Sequence, residues 1–323
     1  MKKYCYALLA VIMLTSVSCR DNGGDGAADD DAPIEIIRFD RYVGDYAGEE
    51  VPDSMTPAVE LLKFMSARTG SEFTGLEDYR HSRAYEVFAP DVESRFTSSD
   101  SIEAVLGVVD GRMRRLTGDG LGTVYGVIMP FWEKVITGDS VIFIGLNHYL
   151  GADYAGYQGF DRYVVRANRA AHMPYDVAEA RIVADYPMVD DGDMTLLKGM
   201  IYWGAVARTV SDIVPGSTLD EVFNLGDGER EWLMENAGKV WKTLIEKQLI
   251  YSTDPDVAAR LLYPAPKSFL LHGDAPGMTG RYMGYLIVDS YLKNHPEITV
   301  ADILRNGLYN SESFLVDSGF GVM

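Results

Sequence analysis

Ser16-Val17-Ser18-Cys19 is the place in this 323-residue chain where residue types and spacing specify a reaction. Small residues directly before a cysteine form a lipobox, in which the thiol is acylated and the cysteine becomes the first residue after cleavage. Lys2 and Lys3 supply the basic region ahead of it and Ala7 to Leu14 the apolar core. Residues 1–18 therefore read as a lipoprotein signal peptide. That core is far short of the roughly 20 apolar residues that span a bilayer. Ser16 stands where such boxes usually carry Leu, and an ordinary cleaved signal is the plain alternative. Cysteine usage favours acylation. Cys5, the only other cysteine, leaves with the signal, so the remaining chain can form neither an internal disulfide nor a thiolate metal site. Acyl chains on Cys19 make a membrane the first expected partner, since each buried methylene contributes about 0.8 kcal/mol.

Other reactive patterns are absent. The histidines (His81, His148, His172, His272 and His295) are scattered, with no H-E-x-x-H pair to hold zinc on a helix. There is no G-x-S-x-G elbow and no Walker loop. Gly118 to Gly122 is glycine-rich but precedes a strand, so it reads as a turn. Asp190, Asp191 and Asp193 lack the spacing of a calcium loop. No metal or cofactor is expected. Two segments carry more polar and glycine residues than a scaffold needs. In Phe143 to Asp153 a strand runs into Asn147, His148 and Asp153, and strand-end loops often carry function. In Ala275 to Gly284 glycines precede a helix that begins near Arg281. Asn147, His148, Asp153 and Arg281 are thus the candidate interaction or binding patch, expected at the surface. A structural hydrogen bond or ion pair is the plain alternative for His148 and Arg281.

The elements that must position these residues follow from periodicity. Ile34 to Phe39 predicts a strand, and Gly122 to Pro130 and Ser140 to Leu146 predict two neighbouring strands around turn residues Thr137-Gly138-Asp139. Helices are predicted over Thr56 to Ala67 and Ser101 to Leu116, the latter with Asp100 as N-cap and Glu103 closing a capping box. Further helices cover Asp176 to Tyr186, Met194 to Val214, Asp227 to Tyr251, Arg281 to Lys293 and Thr299 to Leu308. A small sheet in the N-terminal half followed by stacked helices is a helix-dominated α+β fold. Residues 19–33 (Gly- and Asp-rich) read as a disordered acidic tether, and 34–323 as the globular domain. Removing residues 1–18 leaves 27 basic against 48 acidic residues, a net charge of −21, which argues against nucleic acid as a partner.

At its two polar segments the chain resembles the gliding-motility lipoprotein GldB family of Bacteroidota. The family's opening is echoed by Ile36-Ile37-Arg38-Phe39-Asp40, and its strand-to-loop signature by Phe143 to Asp153. Tyr251-Ser252-Thr253-Asp254 and Tyr263-Pro264-Ala265-Pro266 follow in order. The last motif is met by Pro276-Gly277-Met278-Thr279-Gly280 through Gly284, Ile287-Val288 and Ser290-Tyr291. Met278 replaces a commonly basic residue and Tyr285 a common Trp, which marks a divergent member. The resemblance implies an envelope lipoprotein, held on the outer membrane by acyl chains, that acts through envelope protein partners in surface machinery and catalyses no reaction.

The chain is also similar, more weakly, to zinc metallopeptidases in its order of strand, helix and second long helix. Ala178-Glu179-Ala180-Arg181-Ile182 would lie where such enzymes carry H-E-x-x-H, and Trp203-Gly204 where a liganding Glu-Gly sits. That comparison implies a degenerate zincin-like scaffold without its metal ligands. It leaves a hydrolase with a non-standard site built from Glu179, His148 or His172 as one alternative function. A solute- or glycan-binding lipoprotein, drawn from 20 Tyr and 4 Trp, is the other. The acylation reading has a direct check. Cys19→Ser should abolish incorporation of labelled palmitate and move the protein from the membrane to the soluble fraction; retention in the membrane fraction would refute it.

Overall fold

The computed structural model describes residues 31–69, 75–130, 133–189, 192–271 and 273–321. The signal segment, Cys19, most of the 19–33 tether, Asp190, Asp191 and His272 lie outside the described residues. In chain order the strands are β1 (Ile36–Arg38), β2 (Thr123–Val127), β3 (Val135–Gly138) and β4 (Val141–Gly145). The helices up to the last strand are α1 (Phe39–Asp45), α2 (Thr56–Thr69), α3 (Leu76–Arg80), α4 (Arg83–Arg95) and α5 (Asp100–Thr117). After it come α6 (Arg162–Val165), α7 (Met173–Asp185), α8 (Leu196–Ile213), α9 (Leu219–Val222), α10 (Glu229–Glu246), α11 (Pro255–Leu262), α12 (Thr279–Asn294), α13 (Val300–Arg305) and α14 (Phe314–Asp317). The fold is α+β, with helices in the majority and the sheet confined to the N-terminal half.

The sheet has the order β1-β2-β4-β3. β1, β2 and β4 run parallel, with Ile36 beside Val124 and Val124 beside Ile142. Parallel neighbours need long crossovers, and helices α1 to α5 supply the one between β1 and β2. β3 is an edge strand, antiparallel to β4. Its existence corrects the expectation of a turn at Thr137-Gly138-Asp139. Thr137 and Gly138 pair with Ile142 and Val141, and the reversal falls on Asp139-Ser140, with Ser140 at φ 56°. A four-residue, half-buried strand is too short to display an alternating pattern.

A second correction concerns Glu103. It does not close a capping box on Asp100. Its carboxylate accepts the Ser99 hydroxyl at 2.8 Å and the Ile36 amide at 2.9 Å, and its carbonyl accepts the Ile34 amide at 3.1 Å. One residue in the first turn of α5 thereby fastens the entry of β1.

α8 is the hub of the helical layer. Its Thr195 cap accepts the Lys198 amide, and it buries residues on every side, from Leu196 and Met200 to Val206 and Val210, as expected of a core helix rather than an amphipathic one. α7 lies between α8 and the edge strand β3, and α5 packs on both α7 and α8. α12 crosses α8 more closely than ordinary side chains allow. A Cβ at Gly284 would fall on the Met200 carbonyl, and one at Gly204 on the backbone of Gly284. Backbone meets backbone at this crossing, so neither helix can yield by rotating a side chain. Gly284→Ala should destabilise the protein by about 3 kcal/mol in chemical denaturation. Gly238→Ala, on exposed α10 with nothing near its Cβ position, should instead gain about 0.5–1 kcal/mol.

Candidate functional site

Beyond β4 the chain enters a tight turn, Leu146–His148. Asn147 is 3% exposed, and its carboxamide pairs both ways with the backbone of Met129: the Met129 amide donates to Oδ1 at 2.8 Å and Nδ2 donates to the Met129 carbonyl at 2.9 Å. This side chain ties the exit of β2 to the exit of β4 as a rung of sheet would. The Tyr157 hydroxyl donates to the Asn147 carbonyl and accepts the Leu150 amide, pinning the following loop. Asn147 is therefore a buried strut and not part of a surface patch. The strut shapes a cavity of about 350 Å³, lined by Phe88, Met129, Pro130, His148, Tyr157, Phe160 and Asn168.

A second cavity, about 270 Å³, is lined by Lys134, His172, Asp176, Glu179, Asn224, Met278 and Arg281 among others. Arg281 sits one turn before Gly284, so the close helix crossing delivers it against α8. It is 8% exposed; Nε donates to the Leu262 carbonyl at 2.5 Å and Nη1 to Glu179 at 3.1 Å. Its guanidinium lies 3.6 Å from the centroid of the Trp203 ring, a desolvated cation–π contact. Arg281 too is buried rather than presented at the surface. The other charges in the cavity are matched as well. Lys134 donates to Asp176 at 3.2 Å, and Asp176 also accepts the Tyr149 hydroxyl at 2.9 Å. Burial, reinforced by Asp176, pushes the Tyr149 phenol well above its usual range. His172 lies between Asp176 and Glu221, and its hydrogen bond, together with Arg169, pulls the Glu221 carboxyl down to about 2.

Asp153 belongs to a third, polar cavity of about 750 Å³ with Arg162, Arg166, Asp227 and Glu229. Lys134 and Val164 line both the first and second cavities, and Tyr157 and Phe160 both the first and third. The four candidate residues are thus spread over three cavities and do not form one exposed patch. Asn168 and Lys134 carried no sequence signal, having neither motif nor periodicity around them. The peptidase-like comparison sets the Val141 strand, α7 and α8 together, whereas α7 lies between the edge strand β3 and α8. At its ligand positions stand Ala178, fully buried, and Ile182, 1% exposed. Among the described residues no group of His, Cys, Asp and Glu side chains could hold a metal ion.

The other motif segments now have physical readings. Arg38 grips Asp40 with two hydrogen bonds, 2.8 and 2.7 Å, in a nearly buried pair, and reaches the Phe96 carbonyl. Asp254 caps α11, and Ser290 on α12 donates to the Ser318 carbonyl. The family model for gliding motility protein GldB matches residues 25–321, nearly the whole chain. The chain belongs to the GldB family. That membership makes it a gliding-motility lipoprotein associated with the cell envelope. No curated protein and no solved structure matches it. Among the described residues no helix is long and apolar enough to cross a membrane. In this GldB-family chain the Arg281 cluster is a structural keystone. Arg281→Ala should cost about 3 kcal/mol of stability, from the lost hydrogen bonds and ring contact. Arg281→Lys should recover only part of it, because an ammonium cannot reach two acceptors while stacking; equal stability of Lys and wild type in urea melts would refute the assignment.

Proposed function

We propose that this chain is an outer-membrane lipoprotein, anchored through acyl chains on Cys19, that supports the gliding machinery by binding envelope proteins and catalyses no reaction. The observation that carries this reading is the state of the charged cavity. Lys134 is committed to Asp176, Arg281 to Glu179, and His172 to Glu221 and Asp176. General acid–base work requires a group within reach of substrate and available to exchange its proton. Here Lys134 and Arg281 are matched by Asp176 and Glu179, His172 is held between two carboxylates, and the contacts stiffen the wall instead. The residues of the hydrolase alternative are also dispersed. Glu179 and His172 line one cavity with separate partners, while His148 lines another.

A deletion strain should lose surface spreading, and Glu179→Gln should restore it to the wild-type level, since a neutral amide still accepts from Arg281. Wild-type protein carrying a photocrosslinker at Phe160, which is 43% exposed at the cavity mouth, should capture an envelope protein in living cells. A stable Glu179→Gln protein that reaches the membrane and fails to restore spreading would overturn the non-catalytic reading. Absence of any crosslinked partner at Phe160 would overturn the interaction reading.

A further inference from the structure

Asn168 is 5% exposed, lines the first cavity, and its Oδ1 meets no donor among the described residues. Trp203, Ser217 and Asn310 also carry an unmatched buried atom, but none of these three lines the cavities described above. Asn168 has room beside it for a partner from outside the chain, and buried carboxamide oxygens are nearly always hydrogen-bonded. Its backbone is held on both sides. The Asn168 amide donates to the Val165 carbonyl and its carbonyl accepts the Gly151 amide, both at 2.8 Å. The carboxamide therefore stands on a fixed support, while the broad torsion about χ2 lets its oxygen turn toward an occupant.

The rest of the wall narrows the chemistry. Asn147 is committed to Met129, the Tyr157 hydroxyl to the Asn147 carbonyl and the Leu150 amide, and Lys134 to Asp176. An anion would find the wall's cation already neutralised, so a charged occupant is disfavoured. Phe88, Met129, Pro130 and Phe160 supply rings and a thioether, surfaces that favour an aromatic body. A volume of about 350 Å³ is at the small end of ligand sites and suits a ring with a short polar head. A carboxamide carries an acceptor and a donor side by side, and the neutral group that answers both is another amide. We propose that the first cavity is a binding site for a compact neutral aromatic amide, its ring against Phe88 and Phe160 and its N–H donated to Asn168 Oδ1. This site goes beyond the interaction reading above, which its failure would leave standing.

Ligand-observed NMR titration of the purified protein with N-methylbenzamide, methyl benzoate and benzoate tests the assignment. The first two are nearly isosteric and differ in the N–H donor. N-Methylbenzamide should bind, and methyl benzoate should bind about tenfold more weakly for want of one hydrogen bond. Benzoate should bind at least about tenfold more weakly than N-methylbenzamide, since its charge would enter an apolar wall unpaired. Asn168→Leu should remove the preference, so that N-methylbenzamide and methyl benzoate bind alike. Its melting temperature should be unchanged or higher, because it removes an unmatched buried amide. Ala84→Trp, which fills the cavity, should abolish binding of both; Asn168→Leu carries the test where that variant does not fold. Failure of N-methylbenzamide to bind at its solubility limit would overturn the proposal. Equal binding of N-methylbenzamide and methyl benzoate to the wild type, or a preference that survives in folded Asn168→Leu, would overturn it too.

Discussion

The crossing of α8 and α12 at Gly204 and Gly284 is the constraint on which the rest of the molecule depends. Two backbones in direct contact fix the distance between the helices far more tightly than interdigitated side chains do, because carbonyls cannot change rotamer. α8 carries Trp203 beside that point and α12 carries Arg281 one turn away. Their stacking follows from the crossing, and with it the reach of Arg281 to Glu179 on α7 and to the Leu262 carbonyl that closes α11. Four helices are registered by one cation. α7 in turn lies on β3, so the position of the sheet edge is passed on from the same contact.

Around this frame the polar groups follow one rule: where charge is buried, it is matched inside the protein. Arg281 with Glu179 and Lys134 with Asp176 join distant segments, while Arg38 with Asp40 pins the passage from β1 into α1. Breaking such a pair costs more than its formation contributes, because the survivor is left desolvated. These pairs therefore specify geometry more than they add stability. Neutral groups are less completely matched: the buried Asn168 Oδ1, Trp203 Nε1, Ser217 Oγ and Asn310 Oδ1 meet no hydrogen-bond partner among the described residues.

The helical layer was legible where periodicity was long. α8 spans Leu196–Ile213 against an expected Met194 to Val214, its ends marked by Thr195 and Pro215. α12 likewise starts beside the glycine-rich turn that announces it. α4 escaped because Pro90 lies inside it and interrupts its mixed polar and apolar sequence, and β3 because four residues cannot show a pattern. Of the candidate residues, Asn147 and Arg281 were recognisable as unusual but not as buried. Their partners, Met129 and Glu179, are 18 and 102 residues away, and no local rule connects such positions. Asn168 was illegible for the opposite reason, since its significance is a missing contact, which only an assembled structure can display.

Glu103 fastens Ile34 and Ile36 to the start of α5, and this clasp is where the described chain enters the fold. Only about 15 residues separate Cys19 from the clasp, a leash of at most about 50 Å when taut and about 20 Å on average if flexible. An acylated Cys19 would then keep the foot of α5 near the bilayer whatever the rest of the molecule does. The protein would swivel about that point like a moored float. Any partner would have to approach within a shallow layer above the lipid, where tethering raises its effective concentration and a weak contact suffices.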